Sequence, residues 1–154
     1  MESRTTSALR RFNYLMKEID AAYHEAALKL GVTDSAMMIL YTVYDNGGSC
    51  PLSEICGMSG ISKQTINSAL RSLERDGALR LESYSGRRKQ VILTESGREF
   101  AERTVALVLA AENDIFSEWS EQERETYLRL TQRYLDSFRE KTKNIDKNKV
   151  EENT

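Results

Sequence analysis

The sequence predicts a mostly α-helical protein with one small β-hairpin, and three observations carry that class. Apolar residues recur at alternating spacings of three and four from Leu9 to Leu30, the repeat of a long helix. Gly57 and Gly60 bracket a tight turn between two further helical stretches. Leu79–Glu82 then alternates apolar with polar, and Val91–Leu93 is β-branched and apolar, so those two stretches pair as strands.

Taken in order, Met1–Ser7 is polar and is expected to be frayed. The first helix carries Leu9, Phe12, Met16, Ile19, Tyr23, Ala26 and Leu30 as one continuous seam. A lone helix cannot bury such a seam, so it packs on other helices or on a second subunit. Gly31 ends it. Thr33 caps a second helix over Asp34–Tyr44, in which Met37, Leu40, Tyr41, Val43 and Tyr44 are the larger side chains. Asn46–Gly47–Gly48 is a turn, and Pro51 opens a short helix with Leu52, Ile55 and Cys56 facing inward. Ile61 plugs the next turn. Ser62 is a fitting N-cap, its hydroxyl accepting from the free amide of Thr65.

The helix after Ser62 turns Ile66, Ala69, Leu70 and Leu73 inward and Lys63, Gln64, Thr65, Asn67, Ser68 and Arg71 outward. A solvated face more often carries Glu and Lys, and the first two turns here hold no acid. Short donors and acceptors of this kind suit base edges in a major groove, which a recognition helix enters by its N-terminal end. Gly77 closes the helix. Between the strands, Tyr84–Lys89 forms a turn with Arg87, Arg88 and Lys89 adjacent. Three neighbouring cations repel one another and do nothing for a hairpin, whereas a phosphate backbone or a minor groove rewards them. Helix-turn-helix and basic hairpin together make a winged helix.

Thr94, Glu95, Ser96 and Gly97 start a long helix expected to run to about Trp119, with Phe100, Val105, Leu107, Val108, Ile115 and Phe116 as its apolar content. Ser120 and Glu123 form a capping box that opens a last helix, bearing Tyr127, Leu128, Leu130, Tyr134, Leu135 and Phe138. The polar residues 142–154 are expected to be disordered.

The 154 residues suffice for one domain with a real core, and a net charge of −2 does not by itself suggest nucleic acid. Its distribution does. Ser62–Gln90 holds seven cations against three acids, leaving −6 on the remainder, a basic stripe on an acidic body. No apolar run approaches the roughly 20 residues of a membrane span, and Met1–Arg11 lacks the apolar centre of a signal peptide, so a cytoplasmic location and no membrane partner are expected. Cys50, Cys56 and the single His24 match no zinc spacing, so neither metal nor cofactor is expected. Cys56 reads as a small core residue, the position of Cys50 beside Pro51 leaves exposure open, and a structural reading is favoured over thiol sensing. No catalytic constellation is present, which speaks against an enzyme.

In this order the elements resemble the MarR family (multiple antibiotic resistance regulators) of bacterial transcriptional regulators, over roughly Leu9 to Arg139. The likeness is carried by Ile61–Ser62–Lys63–Gln64–Thr65–Ile66, by Leu73–Glu74–Arg75–Asp76–Gly77, and by Gly86–Arg87–Arg88 with Val91–Ile92–Leu93–Thr94–Glu95–Ser96–Gly97. Ser120–Arg124 also resembles the start of the family's last helix. The resemblance implies a single domain over 1–141, with dimerisation helices at about 8–30 and 121–141, a winged helix-turn-helix at about 33–94 and a linking helix at about 95–119. It implies a homodimer on a pseudo-palindromic operator, acting as a repressor that a small phenolic or lipophilic effector releases. By position Phe12, Met16, Met37 and Tyr41 would lie near the effector pocket. Gln64, Asn67, Ser68 and Arg71 are then assigned to base edges, Ser62, Lys63 and Thr65 to phosphates, and Arg87, Arg88 and Lys89 to the wing. The sequence departs from the family at Tyr84–Ser85–Gly86, where an Asp commonly holds the wing arginine. That leaves open which of Arg87 and Arg88 enters the minor groove. The family's redox branch has its cysteine in the first helix, and this chain has none there. Two alternatives stand beside this reading: a thiol switch at Cys50, and a winged helix used for protein contact.

Overall fold

Caps written into the chain set several of the helix boundaries. The computed structural model describes residues 4–58 and 60–145. In chain order the elements are α1 (Arg4–Leu30), α2 (Asp34–Asp45), β1 (Ser49–Pro51), α3 (Leu52–Cys56), α4 (Lys63–Arg75), β2 (Leu79–Ser85), β3 (Arg88–Leu93), α5 (Glu95–Arg103), α6 (Val105–Glu118) and α7 (Glu121–Thr142). Thr33 Oγ1 accepts from the Ala36 amide at 3.1 Å, and Ser62 Oγ from the Thr65 amide at 3.1 Å. Each satisfies a donor that the first helical turn leaves free. Gly31 and Gly77 follow α1 and α4 with φ of +70° and +76°, the left-handed conformation in which a helix stops at least cost.

The chain divides into two compact units, one up to Ala111 and one from Glu112. In the first, Ile39, Leu40 and Val43 of α2, Ile55 of α3, Ile66, Leu70 and Leu73 of α4, and Leu79, Val91 and Leu93 of the sheet form the core, with Ala27 of α1 and Ala101 and Val105 beside them. The inward face of α4 is as the sequence predicts: Ile66, Ala69, Leu70 and Leu73 are all buried. His24 on α1 and Asp34 at the start of α2 pair at 2.8 Å.

Several expectations are corrected. α1 begins at Arg4, so 4–7 are helical rather than frayed, because polar side chains are tolerated in a solvated first turn. Residues 1–3, and the 146–154 part of the expected tail, lie outside the described residues. Thr142, placed in that tail, closes α7. The sheet has three strands, ordered β1-β3-β2, because Ser49–Pro51 joins β3 antiparallel with Cys50 opposite Val91. Pro51 is tolerated there because β1 is an edge strand. β2 and β3 continue to Ser85 and Arg88, which shortens the expected six-residue turn to Gly86–Arg87. The long linking helix is broken at Thr104 (φ −127°, ψ −90°). The buried Thr104 hydroxyl donates to the Phe100 carbonyl at 2.7 Å, a side-chain bond of the kind that competes with helix propagation.

A tight junction fixes the end of α4. The Thr94 hydroxyl caps α5 by accepting from the Gly97 amide at 2.9 Å and donates to the Gly77 carbonyl at 2.5 Å. The Ser96 hydroxyl donates to the same carbonyl at 3.1 Å, and the Thr94 amide to that of Ala78 at 3.1 Å. Gly97 packs so closely on this turn that a Cβ there would stand 1.8 Å from the Ala78 oxygen.

In the second unit Ser120 and Glu123 form the predicted capping box. The hydrogen bonds from Ser120 hold the Glu123 carboxyl below its usual range. Arg124 Nη1 donates to the carbonyls of Phe116 and Trp119 at 2.9 and 2.7 Å. Trp119 stacks on Phe116 with ring centres 5.1 Å apart and meets Tyr127 edge-on at 5.2 Å.

Candidate nucleic-acid interface

The outward face of α4 is the centre of the candidate interface. Burial of its apolar side leaves Lys63, Gln64, Thr65, Asn67, Ser68 and Arg71 exposed. Gln64, Asn67, Ser68 and Arg71 stand at i, i+3, i+4 and i+7, so they share one stripe along the helix. Among the described residues, the side chains of Lys63, Gln64, Asn67, Ser68 and Arg71 enter no hydrogen bond or ion pair, leaving their donors and acceptors uncommitted. Ser62 and Thr65 differ: their hydroxyls lie 2.8 Å apart, and Ser62 also caps the helix. The first turn of α4 contains no acid, so the positive end of the helix dipole is not neutralised locally, which favours a nearby phosphate.

Cations of the basic stripe sort into two groups. Arg75 pairs with Asp76 at 3.7 Å and donates to Ser72 at 3.1 Å, and Arg80 pairs with Glu82 at 2.8 Å. Lys63 and Arg71 on α4, and Arg87, Arg88 and Lys89 at the wing, pair with no acid among the described residues. The wing tip is a two-residue loop with φ of +58° at Gly86 and no positive φ at Arg87, the pattern of a type II′ turn. Arg88 and Lys89 extend β3 and Arg87 is in the loop, all three exposed. Strand pairing thus holds the three charges together against their repulsion. α4 packs on β2 and the Thr94–Gly97 junction grips the turn after α4, so α4 and the wing share one scaffold.

The remaining expectations fall elsewhere. Met37 belongs to the core and Tyr41 packs half-buried against it, while Phe12 and Met16 are exposed on α1. Cys50 is not exposed: its β1 position puts it against Val91, 2% accessible. Burial first, and then the nearby Glu54 charge, pushes its thiol up to about 11. A thiolate is the reactive form, so this burial favours a structural Cys50 over the alternative of a thiol switch. Cys56, expected in the core, is half-buried. Among the described residues no group of His, Cys, Asp and Glu is placed to hold a metal ion, and no single helix is long and apolar enough to cross a membrane. The sequence reading left Tyr84 in the turn without a role; it is the extra residue of a bulge in β2. Only paired strands reveal a bulge.

A family model described as the MarR family matches residues 30–89, the segment that holds α2 to α4 and the wing tip. Over this winged-helix segment the chain is similar to the MarR family. Solved structures share the fold over more of the chain. A MarR-family transcriptional regulator from Silicibacter pomeroyi is 23% identical, with a TM-score of 0.63 over 86% of this chain and 90% of its own. A MepR–DNA complex from S. aureus is 22% identical, with a TM-score of 0.60 over 89% of this chain and 99% of its own. NadR in complex with 4-hydroxyphenylacetate is 17% identical, with a TM-score of 0.64 over 88% and 96%. No curated protein matches the chain in sequence.

Proposed function

We propose that the chain is a cytoplasmic, homodimeric, sequence-specific regulator of transcription, a repressor that a small phenolic or lipophilic molecule releases from a pseudo-palindromic operator. One observation carries the DNA reading. The exposed side chains of α4 and the wing that carry uncommitted donors and positive charge lie on a scaffold whose other two cations, Arg75 and Arg80, are already paired. On this reading Gln64, Asn67, Ser68 and Arg71 meet base edges, Ser62, Lys63 and Thr65 meet phosphates, and Arg87, Arg88 and Lys89 serve the wing. The DNA complex of MepR and the 4-hydroxyphenylacetate complex of NadR, both of the same fold, support the two kinds of ligand. Phe12, Met16, Met37 and Tyr41 are the proposed effector contacts. Effector control works only if the small molecule binds DNA-competent and DNA-incompetent shapes with different affinity.

Exposed apolar seams support the dimer. Leu9, Phe12, Met16, Ile19 and Tyr23 on α1, and Tyr127, Leu130, Tyr134 and Phe138 on α7, are all exposed in the single chain. Apolar surface repeated along two helices is what a second copy would remove from water.

The test is binding to a labelled duplex from upstream of the protein's own coding region, titrated over salt, for wild type and the Arg87→Ala/Arg88→Ala double variant. Tight binding whose salt slope falls by about one to two per protomer in the variant is the expected result. Weak binding with an unchanged slope would take the wing off DNA and point to a protein partner.

A further inference from the structure

Tyr84 stands apart from the rest of the wing. Along β2 and β3 the register runs unbroken from Leu79 opposite Leu93 to Ser83 opposite Lys89, then shifts so that Ser85 faces Arg88. Tyr84 is the residue left over. A bulge of this kind strengthens the local twist and re-aims the extra side chain. The side chain it re-aims is a large aromatic, 51% exposed, among Ser83, Ser85, Arg87, Arg88 and Lys89. Its hydroxyl bonds to nothing among the described residues. The hairpin does not need it: the tip is closed by Gly86, and the sheet's core face is filled by Leu79, Val91 and Leu93.

Resting on the DNA reading above, we propose that Tyr84 is a DNA-binding residue of the wing, making a contact to which the protein brings no charge. Its phenol hydroxyl donates to a backbone phosphate oxygen, and its ring lies on the adjoining deoxyribose. The chemistry fits both halves. A neutral hydroxyl is a sound donor to phosphate, and an aromatic with a polar tip favours a surface apolar at one end and wet at the other. Neighbouring cations draw the backbone in, and the ring at the bulge is exposed to meet it.

A neutral contact displaces no counterion, so its loss lowers affinity without changing salt dependence, the opposite of losing Arg87 or Arg88. The experiment measures binding of Tyr84→Ala, Tyr84→Phe and Arg87→Ala/Arg88→Ala to the same duplex over the same salt series. Tyr84→Ala is expected to weaken binding about tenfold, and Tyr84→Phe about threefold, both with the wild-type slope. A thermal melt of each variant should match wild type; if Tyr84→Ala melts early, Tyr84→Phe, which keeps the ring, decides. Wild-type affinity for both tyrosine variants, with the arginine variant weakened, overturns this proposal and leaves the DNA reading standing. A slope that falls in Tyr84→Ala also overturns it, since the residue would then be acting through its cationic neighbours. Wild-type affinity and slope in the arginine variant take the wing, and Tyr84 with it, off DNA; failure of the wild type to bind the duplex removes the DNA reading itself.

Discussion

At the scale of single residues, Cys50 shows how position decides chemistry. The same thiol on a loop would ionise near its ordinary range, but opposite Val91 it keeps its proton up to about 11. The folded state therefore binds this proton more tightly than the unfolded chain, whose thiol titrates at about 9.0. The stability that this brings is complete below pH 9 and is lost as the pH rises towards 11. In thiol labelling at neutral pH, the half-buried Cys56 should react first and Cys50 only once the protein unfolds. Rapid labelling of Cys50 in the native protein would contradict its burial. Sequence alone could not settle this point, because a cysteine beside proline looks the same in a loop and in an edge strand.

At the scale of elements, the caps made much of the fold legible. Thr33, Ser62 and Ser120 each accept from the amide that their positions predict, and the inward residues of α4 follow from helical spacing alone. Three features escaped. Ser49–Pro51 is too short to show alternation. Thr104 breaks a helix whose apolar spacing continues across it. The strands of the wing continue through polar residues, where pairing rather than apolar pattern holds them. Among the site residues the exposed face of α4 was readable, since exposure is the complement of a buried stripe. The bulge at Tyr84 was not. The junction between α4 and α5 makes a prediction of its own. Gly97→Ala places a methyl group 1.8 Å from the Ala78 oxygen, and backbone rather than a flexible side chain must move. A cost of about 2–3 kcal/mol is expected, lowering the thermal midpoint by at least about 4 °C. Because the same contact seats the turn after α4, DNA affinity measured well below the melt should fall too. An unchanged midpoint would mean that the junction gives way freely.

At the scale of the whole molecule, the dimer reading rests on surface that folding of one chain leaves in water. Ile19 is 44% exposed on α1, so Ile19→Glu should leave the stability of the isolated chain within about 0.5 kcal/mol. A carboxylate buried between two copies without a partner is costly. Sedimentation of the wild type should report twice the chain mass of 17.6 kDa and that of the variant once, with operator affinity lost in parallel. A wild type that sediments as a single chain would require another role for the seam. The charge pattern acts at this scale as well. Cations concentrated between Ser62 and Gln90 in a chain of net charge −2 would steer that segment towards a duplex, so association should slow steeply as salt rises.

The chain's one tryptophan stands where α6 gives way to α7, stacked on Phe116 and edge-on to Tyr127. Light absorbed at the red edge of the aromatic band is therefore taken up at that joint and nowhere in the winged helix. The protein thus carries an optical probe of its second unit that needs no label. A change in emission on adding an effector would be a local signal from that joint, and its silence during binding of DNA alone would be equally informative.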